Sequence, residues 1–596
     1  MHTGLGDFIV VKNIKPSGQW SDIVKSLIWP CSNINDVESR SLSDNTHVAW
    51  CGDTVVSKAG STDIIELSLI VSETSIDDFI NNNAKGFIGK FVRVQIDPDE
   101  NIFAFTDATR QIPLYWLSTN EIQAVATDLR LLTNLPYVSA EINQESIYHH
   151  LNFSYIPTPY TIYKSIWKLA PGTKLDLTSK EVKRYWMPEY REELSNMNED
   201  QLISDLENEI VNTVSQYNNI GSNDYGCFLS GGTDSSAITG ILAKAAGENN
   251  LNAYSIGFNE EQFDELEYAE IAAKAFAIDH HTLRISSEDS ISIIDDLVNS
   301  FDEPFGNSSA IPTFFCAKLA NSSNRNIMIA GDGGDEIFGG NERYAKDYYF
   351  QKYYDLPAPV KAIGSMLRLA LGPIDSRFIN RIKNFLYRGG LPNPERFYTD
   401  DSFASEYFEQ LLSPEFRKSI SKSSSLDILH SHYSECKTPS ELNKLMYIDL
   451  QMAISDNDLT KVNRSAKAAG VSVLYPYLSP DLIQYMGNIP PSYKVRGNDK
   501  RYLYKKAVVN ILPGEILKKK KQGFGLPVGE WFKHDKKFKE LLNDSLMSDK
   551  FKSRGYFNTD FIDNLLQRHQ KNTWDYTQEL WLLLMLELWH QKYVDQ

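Results

Sequence analysis

Two short stretches hold residue types at spacings that could do chemistry. "LSGGTDSS", Leu229 to Ser236, sets Gly231 and Gly232 between serines, with Asp234 inside the turn. Glycines let backbone N–H groups approach a phosphate, and a helix starting there adds its partial positive charge. A Walker-type loop pairs its glycines with a lysine; this one offers an acid. "GDGGDEIFGG", Gly331 to Gly340, sets Asp332, Asp335 and Glu336 among glycines after the apolar run "NIMIA". Unpaired buried carboxylates are costly, so such a cluster calls for cations. Magnesium takes oxygen ligands and bridges carboxylates to phosphates. One aspartate from each loop, clamping one magnesium on a triphosphate, accounts for an acid inside a phosphate cradle.

The positive charge must come from elsewhere. "KKKKQGFGLPVGEW" (Lys518 to Trp531) brings Lys521 against the shaped "QGFG", pointing inward, with Lys518 to Lys520 structural or on the surface. "LTKVNRSAKAAG" (Leu459 to Gly470) offers Lys461, Arg464 and Lys467, one of which reaches the phosphates.

The elements that must position these residues alternate strand and helix. "DYGCFLS", "LNAYSIGF", "HHTLRI" and "NIMIA" are short strands, and helical patterns separate the first three. The helix after "SGGTDSS" shows one apolar face, with Gly247 as its C-terminal cap. This repetition predicts an α/β fold with a doubly wound parallel sheet, whose ligand lies beyond the carboxyl ends of the strands. From about Tyr344 onward the pattern is helical. The first third is instead rich in strand-like runs. The expected division is residues 1–186 as a β-rich domain, 187–200 as a linker and 201–596 as the α/β domain with its helical end.

Composition narrows the function. The 596 residues carry a formal charge of −18, with 23% charged and 42% hydrophobic residues. So acidic a chain has no general attraction to nucleic acid or anionic membrane, and a polyanionic ligand needs a local basic patch or a metal. Neither a nucleic-acid nor a membrane partner is expected. The five cysteines (Cys31, Cys51, Cys227, Cys316 and Cys436) have no metal-ligand spacing and read as reduced thiols. The start carries no signal-peptide pattern, so the expected location is the cytoplasm. "LWLLLMLELW" (Leu580 to Trp589) is too short to span a bilayer and reads as a core helix.

Taken in order, "LSGGTDSS", "YSIGF", "FDEPFGNSSAIPT", "GDGGDEIFGG", "LTKVNR" and "KKQGFGLPVGEWF" resemble the asparagine synthetases. "TDATRQIPLYW" and "LNFSYIPTPYTIYKSIWKLAPGT" resemble their N-terminal glutaminase-type domain. The resemblance implies an N-terminal nucleophile-hydrolase-like α+β sandwich, followed by a PP-loop ATP pyrophosphatase domain with a helical C-terminal part. It implies ATP and Mg2+ as cofactors. It also implies an AMP-forming ligase: a carboxylate is adenylated, pyrophosphate leaves, and an amine attacks. Ser230, Gly231, Gly232, Asp234 and Ser235 would hold pyrophosphate, and Leu229, Ile256, Gly257, Ala330 and Gly331 the nucleotide. Asp234 and Asp335 would bind the metal. Lys521 would stabilise charge developing on the adenylate, Arg464 would assist at the phosphates, and Asp332 would orient or deprotonate the amine.

The departures bear on the substrate. Glutamine-using relatives need a cysteine at position 2, and this sequence begins Met-His-Thr, so an inactive glutaminase is expected. Asn463 stands where the family has Asp, and "VSVLYPYLSP" (Val471 to Pro480) replaces a stretch that carries an acid, an Arg and an Asp. The sequence therefore resembles most the β-lactam synthetases and lasso-peptide macrolactam cyclases. The expected substrate is a small molecule or peptide carrying the carboxylate and its own amine. A homodimer fits the family, and a peptide cyclase would work with a protease or leader-binding protein. The competing expectation is a family member that uses free ammonia, including surface-sugar amidation.

Overall fold

The computed structural model describes residues 5–14, 23–24, 26–27, 36–220, 225–247, 250–374, 376–519 and 525–595. Its N-terminal part stacks two six-stranded sheets. One runs, edge to edge, Trp167–Lys168, Tyr115–Ser118, Ile122–Ala126, Gly6–Asn13, Thr46–Gly52, Glu38–Ser41. The other runs Glu181–Arg184, Thr173–Asp176, Ile102–Thr106, Gly89–Ile96, Thr62–Ile70, Val55–Ala59. Alternation builds the sandwich. Phe8 and Val10 of the strand Gly6–Asn13 meet Ile65, Leu67, Val92 and Val94 between the sheets, while Ile9 and Val11 join the main core.

The second part is built on a five-stranded sheet in which every pairing is parallel. Its order is Asp279–Ile285, Asn252–Phe258, Tyr225–Phe228, Ile327–Ile329, Ser472–Leu474. The helices Thr233–Ala246, Leu266–Phe276 and Ala310–Ser322 make the first crossovers. Gly247 ends the first of them at φ +86°, as expected. The helical remainder includes the C-terminal Thr577–Tyr593, in which Leu580 to Leu586 and Trp589 are buried, so the apolar run is a core helix. "VSVLYPYLSP" takes a place the sequence pattern did not suggest: its Ser472–Leu474 pairs with Ile327–Ile329 as the fifth strand.

Buried ion pairs join the two parts. Arg110 pairs with Asp456, Lys168 with Glu303 at 2.7 Å, and Lys467 with Asp7 at 2.6 Å.

Candidate active site

The chain order of the parallel sheet reverses between Tyr225–Phe228 and Ile327–Ile329. In open α/β sheets the ligand crevice lies at such a switch point, beyond the carboxyl ends of the strands. Here those ends run into the two glycine loops. Topology alone thus brings "LSGGTDSS" and "GDGGDEIFGG" side by side across 101 positions of sequence (335 − 234).

The loops pack backbone on backbone, and this explains their glycines. A Cβ on Gly331 would stand 2.9 Å from the Ser235 amide nitrogen, and one on Gly334 would stand 2.8 Å from the Asp234 carboxyl carbon. Gly231, at φ +67°, lies against the backbone of Tyr268 and Ala269, with 2.5 Å left for a Cβ. Its role is to seat the loop on the helix Leu266–Phe276. Gly232 is the more open of the pair and caps the helix Thr233–Ala246. Ser230 and Ser235 bond hydroxyl to hydroxyl at 3.0 Å across the turn.

One cation ties the loops together. The Arg501 guanidinium donates to Asp234, to Asp335 and to the Thr233 hydroxyl. Burial opposes its charge, but Asp234 and Asp335 outweigh that and hold it above the usual arginine range. Gly340 leaves the room: a Cβ there would strike both Asp335 and Arg501. Arg501 holds φ +55°, uncommon for a side chain of its size, and its N–H donates to the Gly339 carbonyl at 3.2 Å. Nothing local in "NDKRYLYKK" marks Arg501, because its neighbours read as a solvated basic face.

A cleft of about 340 Å³ opens over these loops, within the size range of small-molecule sites. Leu229, Ser230, Asp234, Ser235, Ile256, Ala330, Gly331, Asp332 and Asp335 all line it. Gly257 does not, because it packs on Asp264 and Leu266. Glu336, Asp458 and Lys461 line the cleft as well. Burial pushes the Asp332 carboxyl up to about 6, against the pull of Lys461, and lifts Glu336 well above the carboxylate range, helped by Asp335. Lys461 bonds Asp458 at 2.8 Å; burial opposes its charge, but Asp458 and Asp332 raise its pKa. Asp458 ends a π-helical stretch, Leu450–Asp458, a form that recurs at functional sites.

Two expectations fare differently. Arg464 points away from the cleft. It is buried at the seam between the two parts, paired with Asp302 and with Asp128 at 2.8 Å. Three residues separate it from Lys461, close to one helical turn, yet the helix Leu459–Ala468 sends Lys461 to the cleft and Arg464 to the N-terminal sheets. Arg464 is therefore corrected to an interface residue. Lys521 lies outside the described residues. Its neighbour Lys519 is buried beneath the loop, 3.2 Å from Glu265 and 3.4 Å from the Gly231 carbonyl. Asn463 donates to the Gln111 carbonyl at 2.7 Å and accepts from Tyr475 at 2.9 Å, so it too serves the seam.

A glycine-loop crevice of this kind, with paired acids and a half-buried carboxyl beside a lysine, defines a nucleotide-dependent synthetase. Residues 210–591 match the asparagine synthase family and residues 82–186 the glutamine amidotransferase domain. The chain belongs to the asparagine synthase family and is an ATP-dependent carbon–nitrogen ligase. It is 25% identical over 485 residues to asparagine synthetase [glutamine-hydrolyzing] 1 of Bacillus subtilis, covering 80% of this chain and 73% of that one. A putative asparagine synthetase of Methanocaldococcus jannaschii is 28% identical over 376 residues, covering 61% and 69%. A solved NMN synthetase from Francisella tularensis overlays 33% of this chain and all of its own at 15% identity, with a TM-score of 0.18 too low to bear on the fold.

Proposed function

We propose that this enzyme adenylates a carboxylate and lets an amine of the same substrate close on it, without hydrolysing glutamine. The carboxylate oxygen attacks the α-phosphorus of ATP and the bond to the β-phosphate breaks, releasing pyrophosphate. The amine then attacks the acyl carbon, AMP leaves, and the nitrogen loses a proton. The observation that carries this reading is the convergence of Asp234 and Asp335 on one cationic position between two glycine loops.

Two carboxylates with phosphate oxygens suit magnesium, and the pair already gathers a cation where the metal would sit. Bound there, magnesium would neutralise the triphosphate. Ser230, Ser235 and the loop amides hold pyrophosphate, while Arg501 and Lys461 add positive charge from two sides. Asp332, half-buried beside Lys461, takes the amine proton. Two features support an amine carried by the substrate. The four described cysteines are all buried. A cavity of about 70 Å³ at the seam between the two parts is walled by paired charges. Ring closure of the β-lactam or lasso-peptide kind fits this pattern. A second reading, amide formation from free ammonia, is favoured by the names of the relatives above.

The test incubates the purified chain with ATP, magnesium, aspartate and ammonium, and separately measures exchange of labelled pyrophosphate into ATP with a panel of acids. The proposal expects little asparagine and exchange with a selected acid. Strong asparagine formation would reject the ring-closing reading; exchange with no acid would reject adenylation.

A further inference from the structure

Residues 357–390 hold six basic residues, Lys361, Arg368, Arg377, Arg381, Lys383 and Arg388, against the single acid Asp375, within a chain of net charge −18. They fold as two helices, Ala358–Ala370 and Arg377–Gly389, packed as a hairpin. The second helix attaches it to the body. Phe385 packs on Phe350 and Tyr353 at 5.4 and 5.6 Å, and Arg388 grips Asp400 with two bonds of 2.7 and 2.6 Å.

The first helix is turned inside out for a helix on a water-exposed surface. Toward the protein it presents Gly364, where a Cβ would meet the Tyr353 hydroxyl, and Lys361, bonded to the Tyr354 carbonyl at 2.8 Å. Arg368 lies over the Tyr387 ring at 4.6 Å. Toward solvent it presents Val360, Ile363, Met366, Leu367 and Leu369, and Ile363, Met366 and Leu369 are 66%, 69% and 76% exposed. Phe378, 71% exposed beyond the turn, extends the stripe. Surface helices normally send the apolar stripe to the core, and a continuous exposed one marks an interaction surface.

Charge decides the occupant. A second copy would set one basic hairpin against another. The side chains stand proud rather than line a groove, so no slot awaits a partner's helix. An anionic bilayer surface satisfies both features: apolar side chains enter the headgroup boundary, and the exposed Arg368 and Arg381 meet lipid phosphates. No described helix is long and apolar enough to cross a membrane, so the hairpin would lie on the surface. We propose that residues 357–390 dock the enzyme on anionic lipid, with the acidic body facing away. This replaces the expectation, drawn from net charge alone, that the chain has no membrane partner.

The test is co-sedimentation of the full chain with vesicles of phosphatidylcholine alone or mixed equally with phosphatidylglycerol. Binding is expected to the mixed vesicles only, and to be lost in about 1 M salt. Replacing Ile363, Met366 and Leu369 together with Asn should weaken it about tenfold or more, with circular dichroism and melting unchanged. Arg381→Glu should weaken it while leaving the apolar stripe intact. Sedimentation with neither vesicle, or equally with both, would overturn the proposal. So would a dimer that the triple variant dissociates, without vesicle binding.

Discussion

Arg501→Met is the most searching perturbation of the site. It keeps an unbranched stem that reaches as far as Nε and removes the guanidinium charge that Asp234 and Asp335 share. Losing one partner of a fully buried ion pair costs about 3–5 kcal/mol. Here the two acids are 19% and 26% exposed, so solvent screens them and about 2–3 kcal/mol is the better figure for their hold on the guanidinium. A divalent cation entering between the acids must displace Arg501 and forgo that coupling; in the variant it need not. At about 1.4 kcal/mol per tenfold, Mn2+ alone should bind the variant about 30- to 150-fold more tightly than the wild type. Electron paramagnetic resonance titration of free Mn2+ reads this without any substrate. ATP should bind more weakly to the same variant, because its phosphates lose a cation, and Arg501→Lys should fall between the two. Unchanged or weaker Mn2+ binding in a folded variant would show that Arg501 does not hold the place of a metal, and the argument from convergence would fail.

Asp332→Asn tests the proton path. With a pKa held near 6, the carboxylate form is lost as pH falls, so single-turnover amide formation should drop below about pH 6 in the wild type. The variant should lose that limb while retaining pyrophosphate exchange. Stability runs the other way: a carboxyl raised in the folded state is harder to ionise there, so its contribution falls as pH rises from about 4 to about 6. Asp332→Asn should flatten that part of the melting profile; an unchanged rate profile would remove Asp332 from the proton path. Arg464→Met should lower stability by about 3–5 kcal/mol, since Asp302 is left without its guanidinium, while ATP affinity stays within about threefold. A wild-type melt with a large loss of ATP affinity would return Arg464 to the phosphates.

The legible parts of the molecule are those fixed by local pattern. Short apolar strands alternating with helices announced the parallel sheet, and glycines flanking acids announced both loops. What the sequence could not convey is how distant segments share one charge. Arg464 carried the stronger motif signal, yet it pairs with Asp128 and Asp302, and Lys461, about one turn earlier on the same helix, takes the cleft. Arg501 carried no signal. It sits in a charged run, and its partners lie 267 and 166 positions away.

"VSVLYPYLSP" shows a third limit. As a departure from the family pattern it pointed to a different substrate. In the fold its first residues complete the sheet beside Ile327–Ile329, and Tyr475 bonds Asn463, itself a departure. Asn463 in turn bonds Gln111, in the loop between two strands of the N-terminal part. Asn463 and this stretch, which read as separate departures, therefore meet in one contact. The contact is a neutral hydrogen bond at the seam, next to the Arg464 pairs. A neutral Asn–Tyr contact needs no counter-ion, so the seam can close there without delivering or receiving a charged species. The residues that obscure the family pattern are thus among those that join the N-terminal part to the parallel sheet.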